Sequence, residues 1–343
     1  MEPLPQPGPS PRVAAFARAA RWKPYEWVVW IAAALALAVF PQQAALWNEI
    51  AILALFAVSL DLVLGYAGIL TLGHAAFFGT GCYAAALFAK YVLHDPLAGL
   101  GVGMLAAGAL GLATSVMVLR GSELTRLMVT LGVASILYEL ANRFDAITGG
   151  ADGLQGVVMG PLLGRFAFGL DGKVAYVYSL VVLFALFLVA RRVACSPFGY
   201  SLKAIRDNPT RASAIGIDVH RRLAAVYTLG ATLAGAAGAL LAQTTGFASL
   251  DVLDFNRSAD VLLVLVLGGT GYLYGGVLGA VVFRVLQNAL SAWTPQYWQF
   301  WLGLILVVIV LIGHERLVQR SHALARRFAR GRAATVDARA GIS

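Results

Sequence analysis

"ACSPFGYSLKAIRDNPTRASAIGIDVHRR", Ala194–Arg222, is a basic and polar island. Before it stands "KVAYVYSLVVLFALFLVARRV", Lys173–Val193, and after it "LAAVYTLGATLAGAAGALLAQ", Leu223–Gln243. An apolar helix of about 20 residues crosses the ~30 Å hydrocarbon core of a bilayer. The island therefore reads as a loop joining two membrane spans. The rest of the chain extends the pattern. Of its 343 residues, 59% are hydrophobic and 13% charged, against about 25% charged in soluble domains. The expected class is an all-α polytopic membrane protein.

Ten apolar segments follow, near 27–46, 48–64, 74–92, 97–119, 124–141, 174–190, 223–243, 259–267, 275–290 and 298–313. The eighth is too short to cross alone and reads as a broken or re-entrant helix, which needs protein around its backbone. About ten transmembrane or broken helices are expected. With the N-terminus inside, 20 of the 26 Lys and Arg residues fall on the cytoplasmic side, as the positive-inside bias requires. Both termini are then cytoplasmic, which demands an even number of crossings. The Pro-rich start lacks the short apolar core and small-residue cleavage site of a secretory signal. It reads as a tail over 1–26, matched by a basic tail over 314–343. The longest external loop runs over about 142–173, and a second lies near Gly246–Arg257.

Several functions are excluded. The formal charge of +9 belongs to cytoplasmic loops rather than to a nucleic-acid surface. Cys82 and Cys195 show neither metal-ligand nor disulfide spacing, and His74, His94, His220, His314 and His322 are scattered. No metal and no cofactor is expected. The phosphate-cradling G-x-x-x-x-G-K-[ST] pattern is absent, as are a nucleophile elbow and an H-E-x-x-H site. The chain is read as no enzyme, without an ATPase site of its own.

Inside the island, Ser196-Pro197 and Asn208-Pro209 each place a capping side chain before a proline at the first helical position. Two short helices are predicted, about 197–207 and 209–215, with Gly216 as a left-handed stop. Leu202 and Ile205 should share one face of the first, and Ala212 and Ile215 should form a small apolar face on the second. A loop lying on anionic lipid would not need such order. A rigid helix pair suits docking to a moving protein.

Two other stretches carry breaks. "SLDLVLGYAGILTLGHAAFFGTGCYAAALFAKY", Ser59–Tyr91, holds Gly65, Gly68 and Gly73 beside His74; "SADVLLVLVLGGTGYLYGGVLGAVVF", Ser258–Phe283, holds Gly268, Gly269 and Gly271. Glycines let helices pack closely in lipid or let the backbone unwind beside a cavity. These residues are the broken-helix and translocation-path candidates. Charged groups within spans are costly and often functional, which singles out Asp61, Glu139, Asp260 and Arg284. Internal structural pairing is an equal reading for each. Asp61 and Asp260 each follow a serine, Ser59 and Ser258, by two residues.

The segment "GYSLKAIRDNPTRASAIGIDVHR", Gly199–Arg221, resembles the cytoplasmic loop of the LivM-type permeases of branched-chain amino acid ABC importers. Ser59–Tyr91, Ser258–Phe283 and "ITGGADGL" at Ile147–Leu154 resemble the same family, with Thr71 and Ala151 where Ser is common. "RASAIGI", Arg211–Ile217, is similar to the small-residue loop of ABC importer permeases in general, with Arg211 where that pattern has Glu. The resemblance covers about residues 48–313. It implies a permease domain over 27–313 whose loop at 191–222 couples to an ATPase through Arg206, Asp207, Asn208, Arg211, Ala212, Ala214 and Gly216. It further implies a homologous LivH-type permease, two ABC ATPase subunits and a periplasmic solute-binding protein as partners, in the bacterial inner membrane among its lipid. The implied cargo is a branched-chain or related hydrophobic amino acid. Urea, short-amide or small-carboxylate permeases of the same family are alternatives, and an ion-coupled secondary transporter is a rival of another class.

Overall fold

The computed structural model describes residues 24–312, apart from 163, 167 and 170. The expected C-terminal tail, and the N-terminal one up to residue 23, lie outside the described residues. Among the described residues the chain is helical, with no strand beyond two isolated bridges.

The helices are α1 (Pro24–Val39), α2 (Ala44–Leu60), α3 (Ala75–Tyr91), α4 (Pro96–Val118), α5 (Glu123–Arg143) and α6 (Lys173–Ala194). They continue with α7 (Pro197–Asp207), α8 (Pro209–Ala214), α9 (Val219–Thr245), α10 (Phe255–Gly268), α11 (Leu273–Trp293) and α12 (Trp298–Ile312). Polar caps set many of the starts. Asp95, Ser122, Asp218 and Asp254 each accept a backbone N–H from the first turn of the helix they precede, satisfying a donor that no intrahelical carbonyl can reach.

Six helical stretches are long and apolar enough to cross a bilayer: Pro41–Tyr66, Pro96–Val118, Glu123–Arg143, Lys173–Ala194, Val219–Thr245 and Leu273–Trp293. The chain is a multi-pass membrane protein. α3 and α10, with 17 and 14 residues, are shorter because the glycine-rich turns beside them consume chain that would otherwise be helical. The expected short eighth segment is α10.

Two compact units are distinguished, one up to Val282 and one from Phe283. In the first, α9 packs along α3 and α4. Lipid gives no hydrophobic drive for this, so close backbone approach must hold the helices. Small residues provide it. A Cβ on Gly238 would strike the Phe78 carbonyl, one on Gly81 the Gly235 backbone, and one on Gly103 would lie 2.8 Å from the Ala239 Cβ. Polar pins complete the packing. Ser179 donates to Asn48 Oδ1 at 2.6 Å, and Asn48 Nδ2 donates to Thr244 at 3.1 Å. Tyr178 donates to Gln243 Oε1 at 3.0 Å, and Gln243 Nε2 donates to the Pro96 carbonyl at 2.7 Å. These bonds join α2, α4, α6 and α9. In the second unit, Arg284 donates to Gln287 at 2.7 Å, and the Phe300 and Trp301 rings meet edge to face.

Candidate functional site

The basic loop folds as two capped helices. Ser196 Oγ accepts the Gly199 N–H at 3.4 Å, and Asn208 Oδ1 accepts the Arg211 N–H at 2.9 Å. Asn208 is at once the end of α7 and the cap of α8, so one extended residue makes the bend. Gly216 stops α8 with φ of 86°, in the left-handed region that favours glycine. Leu202 and Ile205 are buried and anchor α7 to the rest of the chain. The Arg222 guanidinium covers the Phe198 ring at 5.2 Å and ties α9 to α7.

The seven residues that the family resemblance places against an ATPase divide. Asp207, Asn208, Arg211, Ala214 and Gly216 lie exposed on one continuous turn of chain. Ala212 is buried, packed inward on α8. Ile215, expected beside it on an apolar face, is exposed instead, because α8 has already ended at Ala214 and the backbone has turned. Arg206 is exposed as well. Its guanidinium turns back and donates to the Gly65 carbonyl, with a looser pairing to Asp207 at 3.6 Å.

Gly65 belongs to the first glycine break. α2 does not end cleanly at Leu60 but widens into a π turn over Asp61–Tyr66, a distortion that proteins place at functional positions. The chain then turns through Gly68, with φ of 72°, and re-enters helix at Ala75. The second break lies between α10 and α11, where Gly269 and Gly271 have φ of 91° and 80°. The two breaks touch. Asp61 Oδ1 accepts the Gly271 N–H at 2.6 Å, and a Cβ on Gly65 would lie 2.5 Å from that nitrogen. The sequence-expected glycines 65, 68 and 271 are thus brought to one point. Gly268 serves packing, since a Cβ there would strike the Gly275 carbonyl. Gly73 is pressed against the Thr130 carbonyl on α5.

His74 is fully buried, 2.9 Å from Ser59 Oγ and stacked on Phe56. Asp61 is also fully buried, and its Oδ2 accepts no hydrogen bond. The remaining charged candidates lie elsewhere. Glu139 is exposed on α5 and lines a cleft of about 470 Å³ with Ser135, Tyr138 and Asp254. Asp260 sits in α10 and Arg284 in α11. Sequence reasoning missed Lys203 and Tyr66 as site residues: the ammonium lies 4.9 Å over the ring. It also missed Ser258, which accepts the Ala75 N–H. All three depend on contacts across the fold that spacing does not reveal.

The loop over 144–172 begins with a helical turn, Asp145–Thr148, and glycines 149, 150, 153 and 156 take positive φ. Leu154 and Ala248 exchange backbone hydrogen bonds of 2.7 and 3.3 Å, so the two loops expected outside are paired.

The described residues thus form a multi-pass helical bundle whose basic, capped helix pair reaches back to glycine-broken helices. Residues 42–312 match the family described as "Branched-chain amino acid transport system / permease component", and the chain belongs to that family. It is 30% identical over 281 residues to the high-affinity branched-chain amino acid transport system permease protein LivM of Escherichia coli (strain K12), a match covering 74% of this chain and 64% of that protein. The Salmonella typhimurium LivM matches with the same identity and coverage. The fructose import permease protein FrcC of Rhizobium meliloti is 28% identical over 63% of this chain and 61% of its own length. The chain thus spans less than two thirds of the length of these curated relatives. No solved structure matches it.

Proposed function

We propose that this chain is the membrane permease subunit of an ABC importer for branched-chain or related hydrophobic amino acids, energised by separate ATPase subunits. The family match over 42–312 carries the reading, and the local geometry supports it. α7 and α8 form the coupling helices, and Asp207, Asn208, Arg211, Ala214 and Gly216 form the surface offered to the ATPase. These residues are exposed, held by two side-chain caps, and anchored from behind by Leu202, Ile205 and Ala212. A rigid projection of this kind transmits force. A loop adhering to lipid would not need the caps.

The chain sits in the bacterial inner membrane with about ten transmembrane or broken helices and both termini cytoplasmic. The paired loops at Leu154 and Ala248 face outward and receive a periplasmic binding protein. A second, LivH-type permease covers α5. This helix buries only Thr130, Ala134 and Ala141 and leaves Ser135 and Glu139 open. A charged group in the bilayer interior costs about 2.5–3.5 kcal/mol on insertion scales, so that face needs protein or a water-filled path rather than lipid tails. Transport is alternating access. Binding protein and ATP shift the populations of two states through their different affinities for each.

Tagged chain, co-expressed with its neighbouring transport subunits and solubilised in mild detergent, should retain a homologous permease and nucleotide-binding subunits. Ala214→Arg should lose the nucleotide-binding subunits while the protein still inserts, because Ala214 is exposed and its replacement disturbs no packing. Uptake into vesicles should require ATP and be competed by leucine in preference to urea or acetamide. Uptake surviving ATP depletion would sink the ABC reading in favour of an ion-coupled transporter. Competition by urea or short amides alone would move the substrate to the alternative class.

A further inference from the structure

Four elements meet where Arg206 reaches Gly65. The π turn closing α2 presents the Gly65 carbonyl one residue before its end at Tyr66, so no following helical N–H satisfies it, and the Arg206 guanidinium of α7 does so instead. The turn between α10 and α11 is bound to the same place, because Asp61 Oδ1 accepts the Gly271 N–H at 2.6 Å. Space allows nothing larger. A Cβ on Gly68 would lie 2.7 Å from Arg206 Cγ, and one on Gly271 would lie 3.3 Å from the Arg206 nitrogen and 3.4 Å from the Gly65 carbonyl oxygen. Lys203, one helical turn before Arg206, holds Tyr66 through its ring. The Asp61 carboxyl group is fully buried with one oxygen unbonded, and cations close by reduce the cost of burying such a group. α7 brings two.

From this juxtaposition we infer that Arg206 is a positioning residue which transmits movement of α7 to both glycine turns at once, with Asp61 as the tie between the turns. The inference rests on the transport reading above and deepens it. The exposed turn at 207–216 takes the load, and Arg206 delivers it to the breaks in α2 and α10–α11. Helix breaks are the parts of a membrane bundle that can rearrange without unsatisfied backbone groups facing lipid. A link made at the breaks therefore moves the pathway directly. A link made only through the ends of α6 and α9 would act on continuous helices pinned by Tyr178, Ser179, Gln243 and Thr244.

The test compares Arg206→Ala, Arg206→Lys and Asp61→Leu in the full transporter reconstituted in vesicles. Three quantities are read: co-purification of the nucleotide-binding subunits, ATP hydrolysis, and substrate moved per ATP hydrolysed. Arg206→Ala should retain the subunits and hydrolysis and lower the transport-to-hydrolysis ratio at least tenfold. Arg206→Lys, which still carries a donor to the Gly65 carbonyl, should recover part of that loss. Asp61→Leu should produce the same uncoupling from the other side. A wild-type ratio in Arg206→Ala overturns the inference. So does loss of the nucleotide-binding subunits from Arg206→Ala, which would make Arg206 a docking contact and leave the transport reading standing. If Arg206→Ala does not accumulate in the membrane, the ratio in Asp61→Leu decides. If the wild-type protein shows no ATP-dependent uptake, the transport reading itself has failed.

Discussion

Ser258 accepts the backbone N–H of Ala75 at 2.9 Å, across 183 residues of chain. α10 thereby caps the first turn of α3. Ser59 arrives at the same place from α2, 2.9 Å from His74. The two serines that precede Asp260 and Asp61 in sequence thus converge on one helix start. An orphaned buried donor costs about 1–3 kcal/mol. Ser258→Ala should lower the stability of the detergent-solubilised protein by that amount, read as a fall in thermal midpoint. Ser213→Ala, on the exposed surface of α8, should leave the midpoint unchanged.

Gly238 lies on α9 where any Cβ would meet the Phe78 carbonyl and, at 2.9 Å, the Cys82 nitrogen. Both are backbone atoms, so neither can swing away. Gly238→Ala should force α3 and α9 apart and cost about 1–3 kcal/mol or more, seen as loss of monodisperse protein on size exclusion. Gly132 on α5 offers the contrast, because a Cβ there meets nothing within 4 Å. Gly132→Ala should keep or slightly raise stability through helix propensity alone. Equal damage at both positions would mean that close packing does not explain the glycines of α9.

Local signals were legible in the sequence, and contacts across the fold were not. Ser196-Pro197 and Asn208-Pro209 locate α7 and α8 almost to the residue, since a cap and a proline act within one turn. The apolar runs near 97–119 and 174–190 coincide with α4 and α6 because an unbroken apolar run of that length is itself a local signal. Ala212 and Ile215 defeated the pattern, because three-residue spacing assumes a helix that in fact stops at Ala214. Arg206 was placed at the coupling surface by resemblance alone, which says nothing of its contact with the first glycine break. Its inward turn depends on a carbonyl left open by a π turn 141 residues earlier, and the sequence does not announce that widening. Glycines 65 and 271 were recognised as breaks, but their meeting is set by the packing of two hairpins.

Glu26 and Arg191 form an ion pair of 2.5 Å with both side chains buried. It joins α1 to the end of α6, where the basic loop begins. Removing one partner of a buried pair leaves a charge without compensation and costs about 3–5 kcal/mol, whereas replacing both with apolar residues of similar size is often neutral. Glu26→Ala should be strongly destabilising in thermal unfolding. The double variant Glu26→Leu/Arg191→Met should recover most of the loss. Additive damage in the double variant would show that each side chain is needed for other contacts.

Gly216 separates backbone demand from packing demand in the basic loop. Its φ is 86°, and a Cβ built on it meets nothing within 4 Å. The cost of a side chain here is therefore conformational. A left-handed residue other than glycine costs roughly 1–2 kcal/mol, least for Asn, whose short polar side chain bonds locally. A β-branched residue suffers most. Gly216→Asn should keep the turn after α8 and retain ATP-driven uptake within about twofold, whereas Gly216→Val should distort the turn and lower uptake at least fivefold without changing the amount of protein in the membrane. Both variants add bulk to the same exposed surface. Equal loss in the two would mean that the partner subunit needs a bare backbone at 216, and equal retention would mean that the left-handed stop contributes nothing to coupling.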